Sequence, residues 1–261
     1  MRRLRVLTEG QLADFRRDGF LIVEDLVGPE TIARLAARVD LIASGAGVSI
    51  DGQYIQLEAP FVDAAGETPH GTAAVRKMYQ LARHDEVLRE HAFGDRLVDV
   101  IADLLATDDL KLYNDQFFMK PAHHGGAQAW HQDSQAWLNM FPMDMLTAWT
   151  AIDEATVTNG CLWMAVGSHR WGMIPDAARE QVESLFDGDW PTAPIELRPG
   201  SVSFHHSLTY HRSGANRSPK RRRGYATHYM RARTWYLSEL RERPDLLPFL
   251  SIRGREFPGC V

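Results

Sequence analysis

From Asp109 to about Thr234 the chain is a succession of short runs rich in β-branched and aromatic residues, divided by turn signals, and this limits its fold more than any other feature. The pattern predicts strands at Lys111–Met119, Ala129–Asp133, Leu146–Ile152, Cys161–Val166, Ile195–Leu197, Ser201–His205, Thr209–His211 and Gly224–Met230. Asn159-Gly160, Gly167-Ser168 and Pro199-Gly200 punctuate them. No helix of the length a parallel crossover needs stands between these strands. The expected fold is therefore mainly β with flanking helices, around a double-stranded β-helix, the jelly-roll of cupin-like proteins.

The preceding residues, 1–108, read as a mainly helical flank and loop. Thr8 opens a capping box with Gln11, and the helix that follows is expected to stop near Gly19. Phe20-Leu21-Ile22-Val23 reads as a short buried strand. Gly28-Pro29-Glu30 starts a second helix, with Ile32, Leu35, Ala36 and Val39 on one face. Ser44 to Thr72 is glycine-rich and aperiodic, as expected of a long loop packed near the site. A helical region is expected from about Asp85 to Leu105, where Leu88, Phe93, Leu97, Val100, Ile101 and Leu104 recur. Residues 109–234 form the jelly-roll core and 235–261 a C-terminal extension, and all 261 residues are expected to make one domain.

Hydrophobic residues are 44% and charged residues 24% of the chain, a globular balance that excludes disorder. A net charge of -5 argues against a nucleic-acid surface, and the basic run Arg217–Arg223 reads as a solvated turn. Cys161 and Cys260 stand in unrelated contexts, which points to a reducing compartment without disulfides or a cysteine metal site. The basic N-terminus is not followed by an apolar run, and no segment approaches the roughly 20 apolar residues of a membrane span. The expectation is a cytoplasmic protein acting on a small molecule, with neither nucleic acid nor membrane as partner.

The chemistry is concentrated in Trp130-His131-Gln132-Asp133. On a strand, His131 and Asp133 would point to one face. A second histidine from a later strand would complete two imidazoles and one carboxylate, the facial arrangement of non-haem iron(II) oxygenases, which leaves three positions open. Strand alternation does not separate His205 from His211 as that second histidine, and His206, His123 and His124 also compete. His70, His84 and His91 lie in the helical half and read as structural or exposed, His169 as a turn cap, and His228 as a hydrogen-bonded wall residue. Arg222, eleven residues past His211, is placed to offer a fixed cation to a dicarboxylate.

Four stretches resemble the phytanoyl-CoA dioxygenase family of Fe(II)/2-oxoglutarate oxygenases: Leu12–Val23, Trp130–Asp133, Ala148–His169 and His211–Arg223. The resemblance implies His131, Asp133 and His211 as the catalytic iron ligands, His211 being chosen because Ser213, Gly214 and Asn216 follow it. It implies Arg222 as partner of the distal carboxylate of 2-oxoglutarate, with Arg221 and Arg223 pointing the other way into solvent or surface pairs. Ser213 would donate to the same carboxylate, Trp149 would line the co-substrate pocket, and Gln132 and Lys77 match further polar positions near it. Arg212 and Ala215 depart from the family pattern without removing a ligand. The carboxylate at Asp133 tells against halogenation, because related halogenases carry a small residue there.

The implied cofactors are Fe(II), 2-oxoglutarate and O2. The implied reaction is hydroxylation of an unactivated C–H bond of a small-molecule metabolite, with release of succinate and CO2. Desaturation, ring formation and epimerisation would share the same iron site. The rival readings are a cupin-type metal dioxygenase that does not use 2-oxoglutarate, and a non-catalytic metal- or ligand-binding barrel. The substrate walls are expected from Ser44–Thr72, His123–Ala127, Trp137–Met143 and the segment after Met230. Trp137, Phe141, Met143 and Trp235 would suit a ring-containing or amphipathic molecule, and Arg231 and Arg233 an anionic one.

Overall fold

Thr8 caps the first helix as its sequence predicts: its hydroxyl accepts from the Gln11 amide at 3.2 Å, and the Gln11 side chain accepts from the Thr8 amide at 2.9 Å. The computed structural model describes residues 3–46, 51–58, 73–237 and 249–261. Helix α1 (Glu9–Asp18) ends at Gly19, whose φ of 82° and close approach to His169 both require glycine. Strand β1 (Phe20–Val23) follows, then α2 (Pro29–Ala43), which starts on Pro29 and buries Ile32, Leu35, Val39 and Ile42.

The helical region predicted at 85–105 is broken into pieces. Helix α3 (Leu81–His84) precedes α4 (Glu86–Ala92) and α5 (Asp95–Leu105). Asp85 adopts extended backbone and caps α4 with its side chain on the Leu88 amide, and Gly94 interrupts the next turn before α5. Within the loop predicted at 44–72, residues 51–58 instead contain β2 (Ile55–Leu57), because Gln56 alternates with two apolar neighbours and pairs with β3 (Val75–Tyr79). Residues 47–50 and 59–72 of that loop lie outside the described residues.

The remaining strands are β4 (Leu110–Phe118), β5 (Gln128–His131), β6 (Met140–Phe141), β7 (Leu146–Ala151), β8 (Leu162–Ala165), β9 (Thr192–Ile195), β10 (Val202–His206), β11 (His211–Ser213), β12 (Gly224–Arg231), β13 (Trp235–Tyr236) and β14 (Leu250–Arg253), with a short helix α6 (Arg179–Ser184) between β8 and β9. Two larger antiparallel sheets result, beside a two-stranded ribbon of β6 and β13. The major one runs β1-β10-β7-β12-β4-β3-β2 with β14 also on β4, and the minor one runs β5-β11-β8-β9. The flanks therefore lend strands to the major sheet, which residues 109–234 alone do not complete. Three strand positions differ most from those predicted: β5 ends at His131 and not at Asp133, β9 begins at Thr192, and β11 starts at His211 where a strand end was expected.

β7 is buried along its whole length because it is covered on both faces. Outside, Leu97, Val98, Ile101 and Leu105 of α5 pack on Leu110, Leu112, Leu146, Phe204 and Tyr229. Inside, the major sheet shares a cavity with the minor sheet. One buried carboxylate fixes the helices to the sheet. Asp115 of β4 accepts from the Leu81 amide (2.8 Å) and the Ala82 amide (3.1 Å) at the start of α3, and from the Tyr225 hydroxyl (3.0 Å).

Asp115→Ala would strand all three donors, and an orphaned buried group costs roughly 1–3 kcal/mol. The expected loss is on the order of 3 kcal/mol, read from the urea midpoint. Burial also pulls His91, His206 and His228 down to about 4, from 6.5 in an exposed chain. Such groups add protons on unfolding between those values, so their stabilising contribution is full above 6.5 and is lost as pH falls towards 4. Asp115, raised to about 6 by burial, acts in the opposite sense but is outnumbered. The urea midpoint of the metal-free protein should therefore fall steadily from about pH 7 to about pH 5; a flat profile would contradict the burial of these imidazoles.

Candidate metal centre

The last residue of β5, His131, and the first of β11, His211, are cross-strand partners with ring centroids 4.2 Å apart. Asp133 is not on the strand. The chain leaves β5 at Gln132 and Asp133 opens a single 3-10 turn (Asp133–Gln135), so the convergence predicted from alternation arises instead from a strand end and the turn after it. Asp133 Oδ1 lies 3.9 Å from His131 Nε2 and 3.8 Å from His211 Nε2. One ligand atom from each of the three residues falls within 4.8 Å of the others, close enough to hold one metal ion.

The hydrogen bonds prepare these atoms. His131 Nδ1 stands 2.8 Å from the Ala129 carbonyl and His211 Nδ1 stands 2.9 Å from the Thr209 carbonyl. Each Nδ1–H donates to its carbonyl, which leaves the Nε2 lone pair for a metal. Burial lowers the pKa of both imidazoles, His211 well below the usual range, so both are neutral. Burial alone would raise the Asp133 carboxyl, but His211 and the hydrogen bond from His205 hold it well below the ordinary carboxylate range.

His205, His206 and His124 are otherwise engaged. His205 Nε2 lies 3.3 Å from the other carboxylate oxygen, Asp133 Oδ2, and so stands behind the carboxylate. His206 accepts from the Leu208 amide and packs on His169, while His124 reaches the Ala73 carbonyl. His228 is the hydrogen-bonded wall residue its position on the last strand predicts, with Nδ1 2.8 Å from Thr147 Oγ1. His70 lies outside the described residues. Thr147, which sequence reasoning did not single out, also donates to Asp133 Oδ2 at 2.6 Å. Its signal was available, since Thr147 and Trp149 share the inner face of β7 by two-residue alternation.

Beyond the triad the cavity, about 220 Å³, continues between the sheets and is lined by Lys77, Trp149, Ser213 and Arg222. Arg222 is 1% exposed. Its Nη2 donates to the Gly160 carbonyl at 2.9 Å, its guanidinium lies 5.0 Å from the Trp149 ring, and its Nε and Nη1 are buried with no partner among the described residues. Burial lowers it to about 10, which still leaves it cationic at neutral pH. Its neighbours are committed elsewhere: Arg221 pairs with Asp40, and Arg223 pairs with Asp153 and Asp40. Gly224 makes the Trp149 position possible, since a Cβ there would lie 1.9 Å from the indole.

Other expectations are corrected. Gln132 does not face the cavity. Its amide nitrogen donates to the Gly172 and Leu208 carbonyls and its oxygen accepts from the Ile174 amide, so the whole group is consumed in bracing the turn. Arg231 is engaged by Asp144 and the Leu105 carbonyl, and Arg233 lies over Phe257. Trp137 does line the cavity, against the His228 ring, whereas Phe141 and Trp235 pair on the exposed ribbon of β6 and β13. Sequence reasoning also missed Lys120, whose ammonium donates to the Gly126 carbonyl (2.5 Å) and the Gly214 carbonyl (2.6 Å). Lys120 thereby joins the loop after β4 to the loop after β11.

Residues 15–224 match the family described as phytanoyl-CoA dioxygenase (PhyH). A probable phytanoyl-CoA dioxygenase of Caenorhabditis elegans is 26% identical over 240 residues, covering 86% of this chain and 75% of that protein. A probable alpha-ketoglutarate-dependent hypophosphite dioxygenase of Stutzerimonas stutzeri is 27% identical over 243 residues, covering 87% and 80%. The fold superposes on EctD from S. alaskensis with bound Fe at a TM-score of 0.73 and 25% identity, covering 88% of this chain and 79% of that one. With the facing sheets, the two imidazoles and carboxylate, and the unpaired buried guanidinium, these likenesses agree: the chain belongs to the phytanoyl-CoA dioxygenase family and is an Fe(II)- and 2-oxoglutarate-dependent dioxygenase.

Proposed function

We propose that this single-domain enzyme hydroxylates an unactivated C–H bond of a small-molecule metabolite, using His131, Asp133 and His211 to hold Fe(II) and Arg222 to hold 2-oxoglutarate. The observation that carries the reading is the Arg222 side chain. A cation 1% exposed with two unpartnered nitrogens is costly unless an anion comes to it, and it shares one cavity with the triad. Arginine's planar fork matches a carboxylate with two parallel hydrogen bonds.

Iron with 2-oxoglutarate and O2 would supply, when bound, an oxidant strong enough to take hydrogen from an aliphatic carbon, one atom of O2 going to succinate as CO2 is released and the other to the substrate. This chain's own residues bind, orient and exclude water. Neutral His131 and His211 and ionised Asp133 would hold the metal through three donors, a set that leaves positions open for co-substrate and O2. Ser213, on the same strand as His211, lines the cavity and is assigned as a hydroxyl donor to the carboxylate that Arg222 receives. Trp149 walls that end of the pocket and Lys77 adds a second cation to it. Trp137, Ala136 and Phe118 offer apolar surface to a substrate. Cys161 and Cys260 are free thiols, which fits a reducing cytoplasmic setting, and among the described residues no helix is long and apolar enough to cross a membrane.

Asp133→Ala is expected to abolish Fe(II)-dependent succinate formation while the fold survives; an active variant would remove Asp133 from the ligand set. Arg222→Ala should leave metal binding intact and weaken 2-oxoglutarate by on the order of 2–5 kcal/mol, as for one partner of a desolvated charge pair. Anaerobic optical titration reads both: a visible charge-transfer band that needs Fe(II) and 2-oxoglutarate together in the wild type, shifted to higher 2-oxoglutarate in the variant. Product analysis after substrate screening decides the outcome of the reaction, since hydroxylation adds one oxygen atom and desaturation adds none.

A further inference from the structure

Behind Asp133 lies a buried relay that binds neither metal nor co-substrate in the reading above. Thr147 is 2% exposed, His205 2% and His228 3%. The two oxygens of Asp133 have different surroundings. Oδ1 faces both ligand nitrogens, at 3.9 and 3.8 Å. Oδ2 faces away from them, 2.6 Å from Thr147 Oγ1 and 3.3 Å from His205 Nε2.

The hydrogen direction along the relay follows from the inventory of donors. An ionised carboxylate only accepts, so Thr147 gives its single hydroxyl hydrogen to Asp133. Thr147 Oγ1 must then accept from His228 Nδ1 at 2.8 Å, which places the His228 ring hydrogen on Nδ1 and leaves Nε2 bare. His228 Nε2 has no partner among the described residues, consistent with a ring oriented by its other nitrogen. The Trp137 ring, 4.8 Å away and nearly perpendicular, holds the imidazole in place.

We propose that Thr147, with its hydroxyl direction set by His228, is a positioning residue that ties back Asp133 Oδ2, so that the carboxylate meets the metal through Oδ1 alone and the positions needed by 2-oxoglutarate stay open. The inference rests on the metal reading above. Carboxylates bind metals through one oxygen or two. An untethered Asp133 is free to turn its second oxygen towards the metal, where it competes with a chelating co-substrate. A 2.6 Å hydrogen bond to a carboxylate oxygen belongs to the strong, charge-assisted class and opposes that rotation.

The test compares Thr147→Val, which keeps the shape and removes the hydroxyl, with Thr147→Ser, which keeps the hydroxyl. Metal-free protein is titrated anaerobically with Co(II), and the Co(II) form then with 2-oxoglutarate, each followed by its visible absorption. Loss of a hydrogen-bond partner behind a ligand typically costs about 10- to 100-fold in metal affinity. That weakening is expected for the valine variant, together with a higher half-saturating 2-oxoglutarate concentration; the serine variant is expected to match the wild type. Wild-type behaviour of the valine variant, or a serine variant as impaired as valine, overturns the lock while leaving the metal site standing. A wild-type protein that takes up no Co(II) takes both readings down. A second measurement needs no variant: nitrogen NMR of the metal-free protein should show His228 protonated at Nδ1, and the Nε2–H form would overturn the relay.

Discussion

The antiparallel register that sets His211 opposite His131 is the constraint on which the site depends. Side chains alternate along a strand, so a slip of one residue between β5 and β11 would turn one imidazole to the outside of the minor sheet. The register is held from both sides. β11 pairs with β8 through His211–Met164, Arg212–Trp163 and Ser213–Leu162, and Arg212 lies over both Trp130 and Trp163 on the outer face. The outer aromatic cluster of Trp130, Tyr210, Trp171, Phe186 and Trp190 covers that face, so neither strand can reverse without exposing it. Arg212, a departure from the family pattern, is thus part of what seats the strand beside it.

The two sheets divide the work. The minor sheet carries the two imidazoles, and the major sheet carries what supports and faces them: Trp149 and Thr147 on β7, His228 on β12 and Lys77 on β3. Arg222 stands just ahead of β12. Its amide donates to the Lys120 carbonyl at 3.0 Å, and Lys120 in turn clamps the loops at Gly126 and Gly214. Burial lowers the Lys120 ammonium to about 6, with nearby Arg222 adding to the effect. Held near 6, the side chain is mainly the neutral amine at neutral pH, and it donates to two carbonyls without adding a full second charge beside Arg222.

Much of this was legible in the residues. Thr8 with Gln11, Gly19 and Pro29 located the first two helices, and the short run Leu146–Ile152 between turn signals located the central strand, because each of these signals acts within a few residues. His131 and Asp133 stood out for a different reason, since chemistry admits few residue types at such a site, whereas His211 was singled out by the resemblance to the family. The separation of His211 from His205 was not visible in alternation, since both residues end up near Asp133 and differ only in which carboxylate oxygen they face. Gln132 misled because a polar residue between two ligands looks functional, whereas its amide satisfies three backbone groups that a sharp turn would otherwise strand. Strands β2, β3 and β14 escaped because short strands take their stability from neighbours elsewhere in the chain.

Asp133 joins the two sheets' roles. It leaves the minor sheet through a single 3-10 turn, and that turn carries its carboxylate across to the inner face of β7 and β10, where Thr147 and His205 receive it. A carboxylate on the strand itself would have faced the imidazoles with both oxygens exposed to the cavity. Displaced by the turn, one oxygen is left facing the ligand nitrogens and the other is anchored in the opposite sheet. The distance between the sheets therefore sets where the Asp133 carboxylate lies relative to the two imidazoles, and the helix packed on the outer face of the major sheet backs the strand that carries Thr147.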